Sequence, residues 1–288
     1  MKKNICIKSI PAISAIYFSL LQCGYDFYQI EKSPELTDKL SNVAVSKYTL
    51  PFFYDVKQTT CEVYPYWPRA AILETATFYL RSDHTEFLDF HAFRSKIMSS
   101  DNISDTERNM GFWQWIEAFP SALIHVLHNE NFQSYYVWEK EWIKQQNTIY
   151  KNDLYDIQVY LNICTQLYSS PVKNISIVLN PIKCAYSADY HINKDSFVFC
   201  SGKFSKESII HEFLHHIVHN TVISHSENIL HYSSRYPGID PSYYLNKDKN
   251  SSLNAFEEYF VRLLTTRIIS KNPPKRLDLF LKKILDTL

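Results

Sequence analysis

His211-Glu212-Phe213-Leu214-His215 sets two imidazoles four residues apart with a carboxylate between them. On an α-helix that spacing puts both histidines on one face, where their ring nitrogens can meet one ion at about 2.0–2.1 Å each. Glu212, about 100° round the helix from His211, is poorly placed as a further ligand but can face a water on that ion. The chemistry these groups suit is hydrolysis. Zinc lowers the pKa of its water toward about 7, and a carboxylate takes the proton as the water attacks a carbonyl, then passes it to the leaving amine. Zn2+ is therefore the expected cofactor, and a peptide or protein the expected substrate.

Catalytic zinc commonly keeps three protein ligands and leaves one position for water. His216 and His219 share the motif helix, and His215 and His219 also stand four apart, but that pair lacks the glutamate; both extra histidines read as surface or packing residues, with contact to the groups that support the ligands as the alternative. A metzincin ligand set, HExxHxxGxxH, is excluded, because no glycine stands at the required place and the chain runs through Asn220-Thr221 without a third histidine. Further on, Asn254 can cap a second helix over residues 255–270, ending before Pro273-Pro274. Glu257 and Glu258 lie early in it, and either carboxylate can complete the set. Glu258 stands four before Arg262, which can orient it. An ordinary acidic first turn favoured by the helix dipole is the alternative explanation of the pair.

The elements that must position these groups can be read from periodicity. Residues 4–8 suggest a short strand, followed by a helix with Pro11 in its first turn, where proline is tolerated. The same stretch, Met1-Lys2-Lys3 with an apolar run and Cys23, has the outline of a leader peptide. Lys8 and Pro11 interrupt it, Tyr17 and Phe18 are bulky, and Gln22 precedes the cysteine, so a structural strand and helix are expected instead. Pro51, Pro65 and Pro68 mark an irregular connection. Helical spacing recurs over 69–82, 86–99, 106–129 and 134–168, with Pro120 kinking or dividing the third; Trp113, Trp115, Trp138 and Trp142 read as core packing. Residues 174–180 and 195–200 are β-branched and apolar runs that predict two strands, with a polar stretch, 186–194, between them. Ser205 is suited to cap the motif helix.

Composition narrows the class. Four glycines against 12 prolines, with 18 Phe and 21 Tyr, favour long helices and aromatic packing over a turn-dense β-fold. Lys plus Arg and Asp plus Glu each number 30, so no net field recruits nucleic acid or an anionic membrane. Six scattered cysteines without a CxxC pair read mostly as small buried apolar residues. No apolar run reaches the roughly 18 residues of a membrane span. The chain is expected to be soluble, in the cytoplasm rather than secreted or lipid-anchored; its oligomeric state is not encoded in these motifs.

HEFLHH at 211–216 followed by NAFEEYFVR at 254–262 resembles the gluzincin pattern of the peptidase-MA-like superfamily, in which HExxH and a glutamate on the next helix complete a thermolysin-like zinc site. The closer similarity is to poorly characterised bacterial zincin-like proteins, where a glutamate is followed by apolar residues and then Val-Arg; matching Glu-Tyr-Phe-Val-Arg to that selects Glu258. The resemblance covers about residues 174 to 270. It implies zinc held by His211, His215 and Glu258, with Glu212 as general base and then acid. It also implies a substrate lying along an edge strand, from 195–200 or 186–192, and an electrophilic helper for the oxyanion. For the helper the loop between the helices offers His231, Tyr232, Tyr236, Tyr243 and Tyr244, of which Tyr244 is the choice. The expected fold is α+β and predominantly α: a mainly helical region, 1–170, before a zincin-like core, 171–288, with a small antiparallel sheet, the two able to form one continuous domain. Two other functions fit the same residues: a non-proteolytic zincin-like binding or regulatory protein, and a helical interaction protein whose motif is accidental.

Overall fold

The structure is a computed structural model and describes residues 5–24, 33–45, 51–55, 70–98, 113–114, 116–185, 188–231 and 249–287. β1 (Ile7–Lys8) leads into α1 (Pro11–Gln22), α2 (Pro34–Val45), α3 (Ala71–Thr77), α4 (Phe90–Met98), α5 (Phe119–Leu127), α6 (Glu130–Ile149) and α7 (Lys151–Leu167). Then come β2 (Asn174–Leu179), β3 (Asp189–Asn193) and β4 (Ser196–Ser201), and last α8 (Lys206–Ser224), α9 (Ser226–His231), α10 (Lys249–Ile269) and α11 (Leu277–Leu285). The fold is α+β and predominantly α.

α1 starts at Pro11, whose missing N–H is not needed in a first turn. It is apolar nearly all round and buried along its length from Ala12 to Gln22, as such a helix must be. Its polar side chains have partners: Ser14 Oγ donates to Glu139 Oε1 at 2.7 Å and Ser19 Oγ to the Ala15 carbonyl at 2.8 Å. The long helical pattern expected over 134–168 is two helices, broken at Tyr150, and it begins earlier because the Asn129 side chain caps α6 through the amides of Asn131 and Phe132. Pro120 sits in the first turn of α5, so it divides the helical pattern at that point.

The small sheet is mixed, not antiparallel as expected, with strand order β1-β2-β4-β3. β1 pairs parallel with β2 and β2 parallel with β4; only β3 and β4 are antiparallel. The stretch at 186–194 that reads as a polar connector contains β3. After β2 the chain skips one strand position, returns as β3, and turns through Lys194, at φ 56, into β4, which fills the gap. Two-residue hairpin turns favour such a left-handed residue. β2 and β4 are buried on both faces, which is why they read as nearly unbroken apolar runs.

Helices cover each face. Val178, Val198 and Cys200 belong to a core with α1, α3, α4, α5 and the start of α6, whereas Ile177, Leu179, Phe197 and Phe199 belong to a core with α7, α8, α10 and α11. β3 is fixed from the α1 side by a buried charge network. Lys183 Nζ donates to Glu74 Oε1 at 2.6 Å, to Asp189 Oδ2 at 2.5 Å and to the Tyr17 hydroxyl at 2.8 Å, while His191 Nε2 lies 2.8 Å from Glu74 Oε2. Asp189 and His191 are both on β3. Gly202, after β4, lets the chain pass close behind Lys183: a Cβ there would stand 1.9 Å from the Lys183 carbonyl oxygen. Among the described residues no helix is long and apolar enough to cross a membrane. Cys23, Cys164, Cys184 and Cys200 are buried and Cys6 is exposed.

Candidate metal centre

Ser205 caps α8 as expected, accepting from the Ser208 amide at 3.1 Å, so the motif helix begins directly after β4. Ile209, Ile210, Phe213, Leu214, Val218 and Val222 bury its apolar side against the sheet and α10. That packing leaves His211, Glu212 and His215 partly buried at the edge of the interface. α10 packs along α8 and carries Phe256, Phe260, Val261, Leu264 and Ile268 into the same core. It starts at Lys249, a turn and more before the expected position, so Asn254 is inside the helix and is not its cap. Glu257 and Glu258 are therefore mid-helix residues, and an acidic first turn does not explain them.

Three atoms converge. His211 Nε2 and His215 Nε2 are 3.1 Å apart, and Glu258 Oε2 is 3.3 Å from each. Donors about 2.0–2.1 Å from a tetrahedral ion stand about 3.3–3.4 Å from one another, so this triangle has the size of one face of such a coordination shell. Two imidazoles and a carboxylate are also the donor set that suits zinc. His211, His215 and Glu258 thus fit a metal ion, and they are the one such cluster among the described residues.

The surrounding groups hold the three donors. Arg262 Nε donates to the other Glu258 oxygen, Oε1, at 2.6 Å, leaving Oε2 turned to the histidines. Glu257 takes no part in the triangle; its Oε1 meets His215 Nδ1 at 2.8 Å and its Oε2 meets His219 Nδ1 at 2.9 Å. His219 is therefore not the simple surface or packing residue expected. His216 turns away, with Nε2 3.3 Å from Ser170 Oγ. Comparison with protein-family models, curated proteins and solved structures finds no match.

Electrostatics follow from burial and these contacts. Burial works against ionising Glu258, but its hydrogen bonds with His211 and His215 outweigh that and hold the carboxyl far below its ordinary range. Glu257 is lowered in the same way by His215 and His219 against the effect of burial. Glu212 moves in the opposite direction. Burial pushes its carboxyl up, His215 and His211 pull it back, and Asp189 and Glu258 add to the rise. A raised carboxylate is a stronger base, which suits the proton-transfer role expected of it.

Tyr244, expected to assist at the oxyanion, lies outside the described residues, as do Tyr232, Tyr236 and Tyr243; His231 ends α9. The tyrosine found at the site is Tyr190 on β3. Its ring is nearly parallel to that of His215, 8° between planes with centroids 6.5 Å apart, and it also stacks on Phe197. Burial and the nearby charges of Glu257 and Glu212 raise its pKa, so the phenol stays protonated. β3 is the outer strand of the sheet beside α8, whereas 195–200, the other expected edge, is interior. Tyr190 and Ile192 alternate with Asp189, His191 and Asn193, a period-2 pattern that can identify the strand within a stretch of polar composition.

Proposed function

We propose that the chain is a zinc-dependent metallopeptidase of the gluzincin type, hydrolysing peptide bonds with a water nucleophile. The observation that carries this reading is the triangle of His211 Nε2, His215 Nε2 and Glu258 Oε2, at 3.1 and 3.3 Å, beside Glu212 on the same helical turn. When bound there, zinc supplies Lewis acidity, lowering the pKa of a water and polarising a carbonyl. His211, His215 and Glu258 would hold the ion, and Arg262, bonded to Glu258 Oε1, leaves Oε2 available for it. Glu212 takes a proton from the attacking water and returns it to the leaving amine. β3, alongside, is an outer strand along which an extended peptide backbone can pair.

The test is Glu212→Gln, a near-isosteric change that removes the base. Wild type and variant should each hold one equivalent of zinc by elemental analysis. Cleavage of a peptide library should fall by about 10²- to 10⁴-fold in the variant. Equal cleavage by both proteins contradicts the role of Glu212. Zinc-loaded wild type that cleaves nothing favours the binding or regulatory alternative, and a chain that takes up no zinc removes the metal reading altogether.

A further inference from the structure

His211, His215 and His219 follow one another at four-residue intervals along α8, each turned about 40° from the last. The first two face Glu258; the third has rotated far enough to face Glu257. Glu257 and Glu258 are consecutive on α10 and so about 100° apart around it. One carboxylate meets the Nε2 pair and the other meets the Nδ1 atoms of His215 and His219. A carboxylate only accepts hydrogen bonds, so both of these Nδ1 atoms, 2.8 and 2.9 Å from its oxygens, donate. A donating Nδ1 leaves the Nε2 lone pair of a neutral His215 free for an ion. It also sets the plane of the imidazole.

With His215 alone, Glu257 could rotate about its side-chain bonds. With Oε2 also taken by His219, one turn further along a rigid helix, the carboxylate is held at both oxygens across the α8–α10 interface. Glu257 is 8% exposed, so losing a partner there leaves an oxygen with little access to water. We infer that His219 is a positioning residue of the metal centre: it holds Glu257, and Glu257 holds His215 in the tautomer and orientation that metal binding requires. The inference rests on the metal reading of the preceding subsection. His219 is half exposed and outside the triangle, so its effect is exerted through Glu257 and not by ligation.

Zinc affinity of the full-length chain, measured by chelator competition, tests this without depending on activity. His219→Ala should weaken zinc binding about tenfold and Glu257→Gln by about 10- to 100-fold, the range found for groups that orient metal ligands. His219→Gln, whose amide can still donate to Glu257, should recover much of the loss. Metal-free His219→Ala should unfold at a somewhat lower temperature than wild type, because a Glu257 oxygen loses its donor, while the Gln variant restores zinc affinity. Wild-type-like affinity in His219→Ala, within about twofold, overturns the inference. So does a loss of affinity that Gln does not rescue and that tracks a lower metal-free unfolding temperature, because that describes a purely structural residue. If wild type itself takes up no zinc, the metal reading has failed and this inference with it; a defect confined to the variants cannot be mistaken for that outcome.

Discussion

His215 is engaged at both ring nitrogens, Nδ1 by Glu257 and Nε2 by His211 and Glu258. Burial opposes a charge on this imidazole, but the hydrogen bonds with Glu257 and Glu258 prevail and raise it to about 10. With its pKa raised, the metal-free ring carries a proton below that value and so through neutral pH. An incoming metal ion must displace the proton, and metal affinity should increase with pH, approaching about tenfold per unit while one proton is released. Calorimetric zinc titration at pH 7 in buffers of different ionisation enthalpy should count that proton. Uptake with no proton release, or an affinity unchanged between pH 6 and 8, contradicts this account of the ring. Glu212 and the two histidines of the triangle were legible from spacing, because four-residue intervals on a helix fix a shared face whatever surrounds it. The division of labour between Glu257 and Glu258 was not: adjacent residues differ by rotation alone, and the facing helix sets which direction is useful.

α6 packs against α1 through a buried carboxyl. Glu139 accepts from Ser14 Oγ at 2.7 Å, with Tyr135 one turn away on the same helix. Burial raises Glu139 from 4.5 to about 7 despite the Ser14 hydrogen bond. Between those values the folded protein keeps a proton that the unfolded chain has lost, so stability decreases as pH rises through that window and is unaffected below it. The loss should reach about 3 kcal/mol above pH 7. Glu139→Gln should remove this dependence, leaving the variant more stable than wild type in urea at pH 8 and similar at pH 4.5. Parallel pH profiles for the two proteins would count against it. The same scale accounts for two elements misread in sequence. β3 looks polar because one of its faces supplies charges to a buried network, and α10 starts at Lys249 because its first turns precede the residues whose spacing is apolar.

The network of Tyr17, Glu74, Lys183, Asp189 and His191 joins the helices on the α1 side of the sheet to the strand beside the metal centre. Lys183, fully buried, is its central cation. Lys183→Met should leave the two carboxylates facing each other without it, at a cost of about 3–5 kcal/mol. Equilibrium urea unfolding measures this, and a loss under about 1 kcal/mol would show that the ions do not depend on one another. None of these partners could be paired from sequence, since Tyr17, Glu74 and Lys183 are far apart in the chain and only the packing of α1 and α3 on the sheet brings them together. The mixed topology was hidden for the same reason: β1 and β2 pair in parallel across a long, mainly helical stretch of chain. Helix faces, the Ser205 cap and the HExxH pair were legible because they depend on residues within about a turn of each other. Strand order, the charge network and the meeting of Glu257 and Glu258 with α8 depend on which apolar faces bury one another, and that is settled by the whole chain at once.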